Sequence, residues 1–146
     1  MEVELKPVSV ENWKACLDLA LHPEQRDFVP SNLYSIAEAQ FYPDARSLAI
    51  YSKENELVGY ALYGKDSKTQ KWKLFRLMID FNHQGRGYGE AAMRLIIERI
   101  SECSDATDIS LVYRDDNYAA RKLYKKLGFV DQGVNEFGKR VAKLSL

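Results

Sequence analysis

The stretch QGRGYG (residues 84–89) has glycine at three alternate positions and leads directly into GEAAMRLIIERI (residues 89–100). Apolar residues of the second stretch recur at i, i+3, i+4 and i+7, the period of an α-helix. The stretch before the glycines, WKLFRLMID (residues 72–80), has the composition of a strand. Helix N-termini offer unpaired N–H groups and partial positive charge, and glycines let a bulky anion approach the main chain. This strand–loop–helix unit therefore predicts a site for a diphosphate.

Residues beside the loop separate it from two other phosphate-binding loops. The loop of ATP hydrolases needs Lys-Ser or Lys-Thr after its last glycine, but here Glu90 follows Gly89. A dinucleotide-binding loop needs G-x-G-x-x-G in a first β-α-β unit, whereas here the glycines read G-x-G-x-G and follow three earlier strands. Both classes are disfavoured. A diphosphate site and a glycine-rich turn without a ligand stay open as alternatives.

The N-terminal part of the chain predicts one strand and two helices. A weakly alternating strand at residues 3–8 precedes a helix that Ser9 can cap and that His22-Pro23 ends. A second short helix opens near Ser31. The apolar faces are predicted to be Trp13, Cys16, Leu17 and Ala20 in the first helix, and Leu33, Ile36 and Ala37 in the second.

The rest of the chain predicts a mixed sheet. Its strands are expected, in chain order, at residues 47–53, 57–65, 72–80, 109–114, 129–134 and 138–146. The first two form an antiparallel hairpin, and the fourth, apolar on both faces, lies in the middle. Asp115, Asp116 or Asn117 then caps a helix that Gly128 ends. The order β-α-α-β-β-β-α-β-α-β-β predicts a single α/β domain (residues 1–146) with parallel central strands, whose carboxyl ends bind the ligand.

Composition limits the function classes. Twenty-one basic and twenty-one acidic residues cancel, so the chain lacks the net charge typical of proteins held on nucleic acid or anionic membranes. Cys16 and Cys103 lack the spacing of a zinc site or a disulfide framework and are expected to be reduced thiols. The N-terminal sequence lacks an export signal, and no apolar window is long enough to cross a bilayer. We expect a cytoplasmic protein without a metal, nucleic-acid or membrane partner.

Two motifs resemble those of the GNAT superfamily of N-acetyltransferases. QGRGYG matches its Q/R-x-x-G-x-G/A signature after a long strand. NYAARKLYKKLGF (residues 117–129) matches the second family feature, with Asn117, then Tyr124 seven residues on, then Leu-Gly-Phe. The element order resembles that fold over nearly the whole chain, and in it the parallel central strands splay around the cofactor. The resemblance implies acetyl-coenzyme A as cofactor and transfer of its acetyl group to an amine.

The resemblance also implies which residues hold the cofactor. Backbone groups of the glycine loop would cradle the pyrophosphate, and the end of the preceding strand, which usually carries a bulge in this family, would pair with the pantetheine arm. A backbone N–H near Ile79 would polarise the thioester carbonyl. The residues so implied are Leu77, Met78, Ile79, Gln84, Gly85, Arg86, Gly87, Tyr88, Gly89, Asn117, Tyr124 and Lys126.

Amide formation needs a proton donor for the departing thiolate and a base for the attacking amine. Tyr124 is predicted as the catalytic acid, because a phenol with a pKa near 10 is protonated at neutral pH; the alternative is a core tyrosine. No carboxylate lies between Trp72 and Ile79, where some family members carry a glutamate, and Asp80 is expected to turn toward the loop. Candidate bases acting through water are Glu24, Asp27, Glu38 and Asp44.

The acceptor is predicted from a looser likeness. QRDFVPSNLYSIAEA (residues 25–39) and the strands after it resemble small bacterial acetyltransferases of spermine and spermidine. The two early helices roof the acceptor site in the family, so contacts to the amine are predicted from Phe28, Tyr34, Glu38 and Tyr42. Aminoglycoside, amino-acid and peptide amines stay open, as does a non-catalytic sensor of acyl-coenzyme A. By analogy we also expect a homodimer, with the C-terminal strand as an available edge.

Overall fold

The predicted element order is confirmed in a computed structural model that describes residues 2–146. The strands are β1 (Val3–Pro7), β2 (Arg46–Ser52), β3 (Leu57–Lys65), β4 (Trp72–Ile79), β5 (Asp108–Arg114), β6 (Val130–Val134) and β7 (Lys139–Ser145). The α-helices are α1 (Trp13–Leu17), α2 (Asn32–Glu38), α3 (Tyr88–Ser101) and α4 (Tyr118–Lys126), and short 3₁₀ helices lie at Pro23–Phe28, Ala39–Phe41 and Phe81–His83. Within residues 2–146, none of the helices combines the length and apolar character needed to cross a bilayer.

The strands form one mixed sheet in the order β1-β2-β3-β4-β5-β7-β6. Neighbours from β1 to β4 are antiparallel, β4 and β5 are parallel, and β7 is antiparallel to both β5 and β6. The predicted parallel centre is therefore confirmed. The expectation that the C-terminal strand is an edge is wrong, because β7 is hydrogen-bonded to a strand on each side and β6 is the edge instead.

The two parallel strands diverge soon after they meet. Between β4 and β5 the register holds one residue pair in the described chain, Lys73 with Ser110. Just beyond it, the pairing of β3 with β4 shifts, which leaves Phe75 as an extra residue of β4. Such a bulge bends its strand and increases the local twist. The bend carries the carboxyl end of β4 away from β5 and opens a cleft between them.

Hydrophobic cores on both faces of the sheet hold the elements around this cleft. On one face α3 packs through Met93, Ile96 and Ile100, which are fully buried as their helical period predicts, while Ile97 is partly buried. On the other face α1 contributes Cys16, which packs with Tyr60, Leu62 and Met78 of the sheet. Because α3 is anchored along its length, its N-terminus is held firmly at the end of β4.

The first helix is shorter than predicted. It starts after Asn12 and not after Ser9, because the Asn12 side chain accepts from the Ser9 N–H (2.8 Å) and donates to the Pro7 carbonyl (3.1 Å), closing a turn first. It ends at Leu17, and the predicted helical residue Ala20 instead donates its N–H to the Asp80 carboxylate (2.9 Å). A contact with a distant segment therefore redirects the chain before His22-Pro23.

The second helix begins where predicted but buries a different face. The Ser31 hydroxyl accepts from the Tyr34 N–H (3.1 Å), so Ser31 is the N-cap. The predicted apolar face is wrong at Leu33, which is 60% exposed, and at Ala37, which is also exposed, whereas Ile36 is partly buried against the core; Asn32 and Ser35 point inward. Burial of Asn32 is favourable because its amide donates to the Cys16 carbonyl (2.8 Å), and buried polar groups that are hydrogen-bonded are tolerated.

Gly59 of β3 is required by the close approach of β4. A Cβ on Gly59 would lie 2.5 Å from the Met78 carbonyl oxygen and 2.8 Å from Ile79 Cδ1. We expect Gly59→Ala to lower the free energy of unfolding by about 1–3 kcal/mol through overpacking, measured by urea denaturation. The control is Gly89→Ala, whose Cβ would meet its nearest atoms at 3.7 and 3.8 Å and should cost no stability. Equal stability of the two variants would contradict the steric argument.

Candidate active site

A cleft of about 450 Å³ lies between the diverging ends of β4 and β5. The glycine loop and the start of α3 line one side, α4 lines another, and the 3₁₀ helix Pro23–Phe28 covers it. This position is the carboxyl end of parallel strands, where open sheets bind ligands. No group of three or more His, Cys, Asp or Glu side chains in residues 2–146 is arranged to hold a metal ion.

The glycine loop presents free N–H groups to the cleft. Gly85 (φ 77°) and Gly87 (φ 89°) have left-handed backbone conformations, which few other residues adopt without strain. The first helical bond of α3 runs from the Ala91 N–H to the Gly87 carbonyl (3.1 Å), so the N–H groups of residues 88–90 have no helical partner. Gly89 is helical and has room for a Cβ. Gly85 and Gly87 are thus required by backbone conformation, and no protein atom lies within 4 Å of the place that a Cβ on Gly85 would take.

Most of the predicted pyrophosphate residues face the cleft. Arg86 is the exception, because it is exposed and lies outside the lining. The members of this set that line the cleft are Gln84, Gly85, Gly87, Tyr88 and Gly89.

The Gln84 side chain links three segments around the cleft through hydrogen bonds. Its amide nitrogen donates to the Ile79 carbonyl (3.0 Å) and to the Gln25 side-chain oxygen (3.0 Å), while the Gln25 amide donates back to Gln84 (3.2 Å). Gln25 lies on the 3₁₀ helix Pro23–Phe28, so this reciprocal pair ties the glycine loop to the cover of the cleft. Sequence reasoning identified Gln84 and missed Gln25.

The backbone of β4 offers an open edge at Ile79. The Asp80 N–H bonds to the Val58 carbonyl of β3 (2.8 Å), and alternate residues of a strand face opposite neighbours, so the Ile79 N–H points toward the cleft. Leu77 also lines the cleft. Met78 lines it too, but its backbone is in register with Tyr60 of β3.

The second motif positions Tyr124 at the cleft. The Asn117 side chain accepts from the Ala120 N–H (3.2 Å) and caps α4, and Gly128 follows the helix at φ 97°. Tyr124 is buried between the rings of Tyr113 and Phe129, both with centroids 5.7 Å away. Burial, and secondarily the nearby Tyr113, raises the pKa of the Tyr124 phenol, so it keeps its proton at neutral pH.

The predicted acceptor residues fall into two groups. Phe28 lines the cleft, and the Arg114 guanidinium lies 5.6 Å from its ring. Tyr34, Glu38 and Tyr42 lie outside the lining and form a layer behind it.

Arg76 of β4, which sequence reasoning missed, connects that layer to the cleft wall. Its guanidinium donates to the Glu38 carboxylate (2.8 Å), and the Tyr42 hydroxyl donates to the other carboxylate oxygen (2.7 Å). The Tyr34 ring lies 6.0 Å from the guanidinium. Burial, followed by the bond to Glu38, raises the pKa of Tyr42 to about 12, so Tyr42 stays a donor. Glu38 therefore does not line the cleft itself, but its carboxylate is bonded to Arg76, which does.

Acidic residues suited to act as a base are scarce in the cleft wall. The Asp80 carboxylate accepts from the N–H groups of Ala20 and Asn82 (2.9 and 3.2 Å), neither of which belongs to the glycine loop toward which it was predicted to turn, and it lies outside the lining. Glu24, Asp27 and Asp44 lie outside the lining. Glu90 is the lining carboxylate of the described chain.

His83 also lines the cleft and was missed, because one isolated histidine forms no sequence pattern. Its Nε2 lies 3.6 Å from the Glu56 carboxylate, and its ring packs edge-on against Tyr88. Its Nδ1 is buried without a hydrogen-bond partner in residues 2–146, so neither nitrogen is shown with a bond into the cleft.

Comparison with known proteins identifies the class to which this fold and cleft belong, the acyltransferases. The model of the acetyltransferase (GNAT) family matches residues 10–129. The chain belongs to this family, which uses acetyl-CoA, and it is an acetyl-CoA-dependent N-acetyltransferase. The resemblance drawn from the two motifs is thereby confirmed.

Individual relatives give a finer comparison. The spermine/spermidine N(1)-acetyltransferase of Bacillus subtilis is 29% identical over 143 residues, which cover 94% of this chain and 93% of that protein. An acetyltransferase structure from Thermus thermophilus has a TM-score of 0.73 at 17% identity, covering 100% of this chain and 98% of that one. The spermidine N-acetyltransferase of Vibrio cholerae in complex with CoA and spermine has a TM-score of 0.72 at 16% identity, covering 99% and 95%.

The amide pair between Gln25 and Gln84 should appear as an energetic coupling. We expect Gln25→Leu and Gln84→Leu each to cost about 1 kcal/mol of unfolding free energy, and the double variant to cost less than their sum by about 0.5–1.5 kcal/mol. Urea denaturation of the four proteins measures this. A control cycle of Gln84→Leu with Gln132→Leu, whose side-chain amide donates to the Val130 carbonyl within β6, should be additive. Additivity in both cycles would show that the pair carries no coupling.

Proposed function

We propose that this chain, as one N-acetyltransferase domain, moves the acetyl group of acetyl-CoA to a primary amine of a polyamine such as spermine or spermidine. The observation that carries the proposal is the cleft between β4 and β5, which combines free N–H groups at the start of α3, an open backbone edge at Ile79 and a neutral phenol at Tyr124. Family membership supplies the reaction class. The relative from Bacillus subtilis supports the choice of acceptor.

The residues of the cleft fit acetyl-CoA in chemistry. Free N–H groups of the glycine loop and of the first turn of α3 suit the oxygens of a pyrophosphate. Lys126 lines the same end of the cleft and suits a phosphate as a point charge. The open edge of β4 from Leu77 to Ile79 suits the amides of the pantetheine arm. Asn117 caps α4 beside it. When bound, acetyl-CoA supplies the thioester carbonyl that the amine attacks.

Two groups of the chain would act on the reaction directly. The Ile79 N–H donates a hydrogen bond to the oxygen that gains charge during attack, and such preorganised donors are effective because they need no reorientation. The Tyr124 hydroxyl would donate its proton to the sulfur as the carbon–sulfur bond breaks, and the new amide nitrogen would release its extra proton, which restores the phenol directly or through solvent. Its raised pKa keeps the phenol protonated but also makes it a weaker acid, so the proton would move only as negative charge develops on the sulfur; the ring packs against Tyr113 and Phe129.

The acceptor amine would lose its proton to solvent. The carboxylate that lines the cleft, Glu90, already pairs with Lys126 and Arg94 (2.8 and 3.0 Å). The other carboxylates considered as bases, Glu24, Asp27, Glu38 and Asp44, lie outside the lining. A protonated amine is not a nucleophile, so the rate should rise with pH as the free amine becomes more abundant.

The acceptor end of the cleft supports a polyamine and also a second candidate. Phe28 offers a ring face to the cleft. Glu38 offers a negative charge behind Arg76, and a ring face together with a nearby negative charge suits an extended polycation. Arg76, however, stands between Glu38 and the cleft. A guanidinium in the wall suits an amine that carries a carboxylate, such as an amino acid or a peptide.

A homodimer and a cytoplasmic location stay predictions by analogy and by cysteine content. Cys16 is buried and Cys103 partly buried, both as free thiols in the described chain.

Tyr124→Phe removes the proposed proton donor without changing the ring. We expect kcat to fall by about 10²–10⁴-fold while the Kd for coenzyme A changes little, because the hydroxyl acts on the departing sulfur and not on the bound phosphates. Thiol release measures kcat and calorimetry measures Kd. The control is Tyr113→Phe, which removes a hydroxyl from the same wall and should retain activity. Equal losses in both variants, or none in Tyr124→Phe, would contradict the assignment.

The pH dependence of kcat gives an independent test of the protonation state of Tyr124. Because its folded pKa is raised, Tyr124 stays protonated as the pH increases through 8 and 9, so it adds no falling limb to the kcat profile in that range. A falling limb there that disappears in Tyr124→Phe would mean that the phenol ionises at a lower pH than its burial implies.

Arg76→Gln should separate the two acceptor candidates. It frees the Glu38 carboxylate and removes the guanidinium from the wall, so KM should fall several-fold for a polyamine and rise about tenfold or more for a carboxylate-bearing amine. Turnover is measured for spermine, spermidine, amino acids, an N-terminal peptide and an aminoglycoside.

Matched variants complete this test. Glu38→Gln should raise KM for a polyamine, whereas Glu24→Gln, which removes an exposed carboxylate outside the cleft, should not. Turnover of carboxylate-bearing amines alone would replace the polyamine with the second candidate. Tight coenzyme binding without turnover of any amine would instead favour an acyl-CoA sensor.

A further inference from the structure

An anion of the chain itself lies beside the proposed pyrophosphate site. Glu90 is the third residue of α3 and lines the cleft. One oxygen of its carboxylate lies 2.8 Å from the Lys126 ammonium on α4, and the other lies 3.0 Å from the Arg94 guanidinium one turn along α3. Lys126 is also the cation that we propose for a coenzyme phosphate. The Glu90 carboxylate is therefore paired with the ammonium that a coenzyme phosphate would use.

The Glu90–Lys126 pair is suited to exchange. Their side chains are 27% and 64% exposed, and exposed ion pairs are weak. A phosphate group carries more negative charge than a carboxylate, and Lys126 has one ammonium on a flexible stem, so it can leave Glu90 for the phosphate. Arg94 keeps its own bonds to Glu90 when Lys126 moves. The carboxylate then stays in the first turn of α3, close to a ligand of the same charge.

The charge state of Glu90 agrees with this arrangement. Lys126, and secondarily Arg94, lowers the pKa of the Glu90 carboxyl, so it is ionised at neutral pH. A negative residue in the first turn also stabilises the helix itself through the helix dipole. Glu90 thus stabilises the free protein at the position where it opposes an anionic ligand.

We propose that Glu90 is an affinity-setting residue: it holds Lys126 in the free enzyme, gives it up to the coenzyme, and then repels the bound phosphates so that coenzyme A leaves faster after transfer. This inference rests on the proposed coenzyme site. It adds a function for a residue that neither motif includes, since the position after the last glycine is outside the Q/R-x-x-G-x-G/A signature.

The test is coenzyme A binding by Glu90→Gln, which keeps the size and removes the charge. At an ionic strength of about 25 mM we expect the Kd for coenzyme A to fall about three- to tenfold, and the difference to shrink as salt is added. Stopped-flow displacement should show slower release. The matched control is Glu98→Gln, which removes one charge from an exposed position of the same helix about 12 Å further along, and should leave Kd unchanged.

Lys126→Gln tests the competition itself. In wild type part of the attraction of Lys126 is taken up by Glu90, so Lys126→Gln should weaken coenzyme binding more in the Glu90→Gln background than in wild type. Circular dichroism confirms that each variant is folded. Unchanged or weaker binding by folded Glu90→Gln, with wild type binding coenzyme A normally, overturns the role of Glu90 alone. Failure of wild type to bind coenzyme A would overturn the coenzyme site and this inference together.

Discussion

The pairing of β4 with β5, which in the described chain has one residue pair in register, Lys73 with Ser110, is the constraint on which the rest of the site depends. A parallel pair that continued to the strand ends would use the Ile79 N–H in the sheet and leave no cleft. The extra residue Phe75 prevents this by bending β4. Native structures rarely leave backbone groups unpaired without reason, and the pantetheine arm is the partner that we propose for this edge.

Ion pairs within the chain organise both ends of the cleft. At the acceptor end Arg76 is held by Glu38, and at the donor end Lys126 is held by Glu90. In each case the basic residue faces the cleft while a carboxylate holds it, so the free protein keeps its cations in defined positions. The donor is an anion and suits this arrangement. The acceptor that we propose would meet both the Arg76 guanidinium and the field of the Glu38 carboxylate, and for that reason we propose a polyamine first and a carboxylate-bearing amine second.

Periodic patterns predicted the elements well where burial alone decides them. The stripe of α3 matches expectation because its buried residues recur with the helical period, and the strands of the hairpin lie where their composition predicted, with β3 buried on both faces from Val58 to Gly64. The pattern failed at α2, where Asn32 is buried because it bonds to a carbonyl of α1. It also failed at the end of α1, because the Asp80 carboxylate binds the Ala20 N–H. Both failures involve a polar contact with a distant segment.

The sequence by itself determined the strand–loop–helix unit, a helix capped at one of residues 115–117, the place of Tyr124 on that helix and the family, because loop conformation, capping and helical period are properties of neighbouring residues. Only the tertiary structure decided which side chains complete the site. Gln25 meets Gln84 across 59 positions and Glu38 meets Arg76 across 38, and no local pattern encodes such a meeting. These contacts depend on how the sheet bends and how the covering segments pack on it, and both are set by the whole core at once.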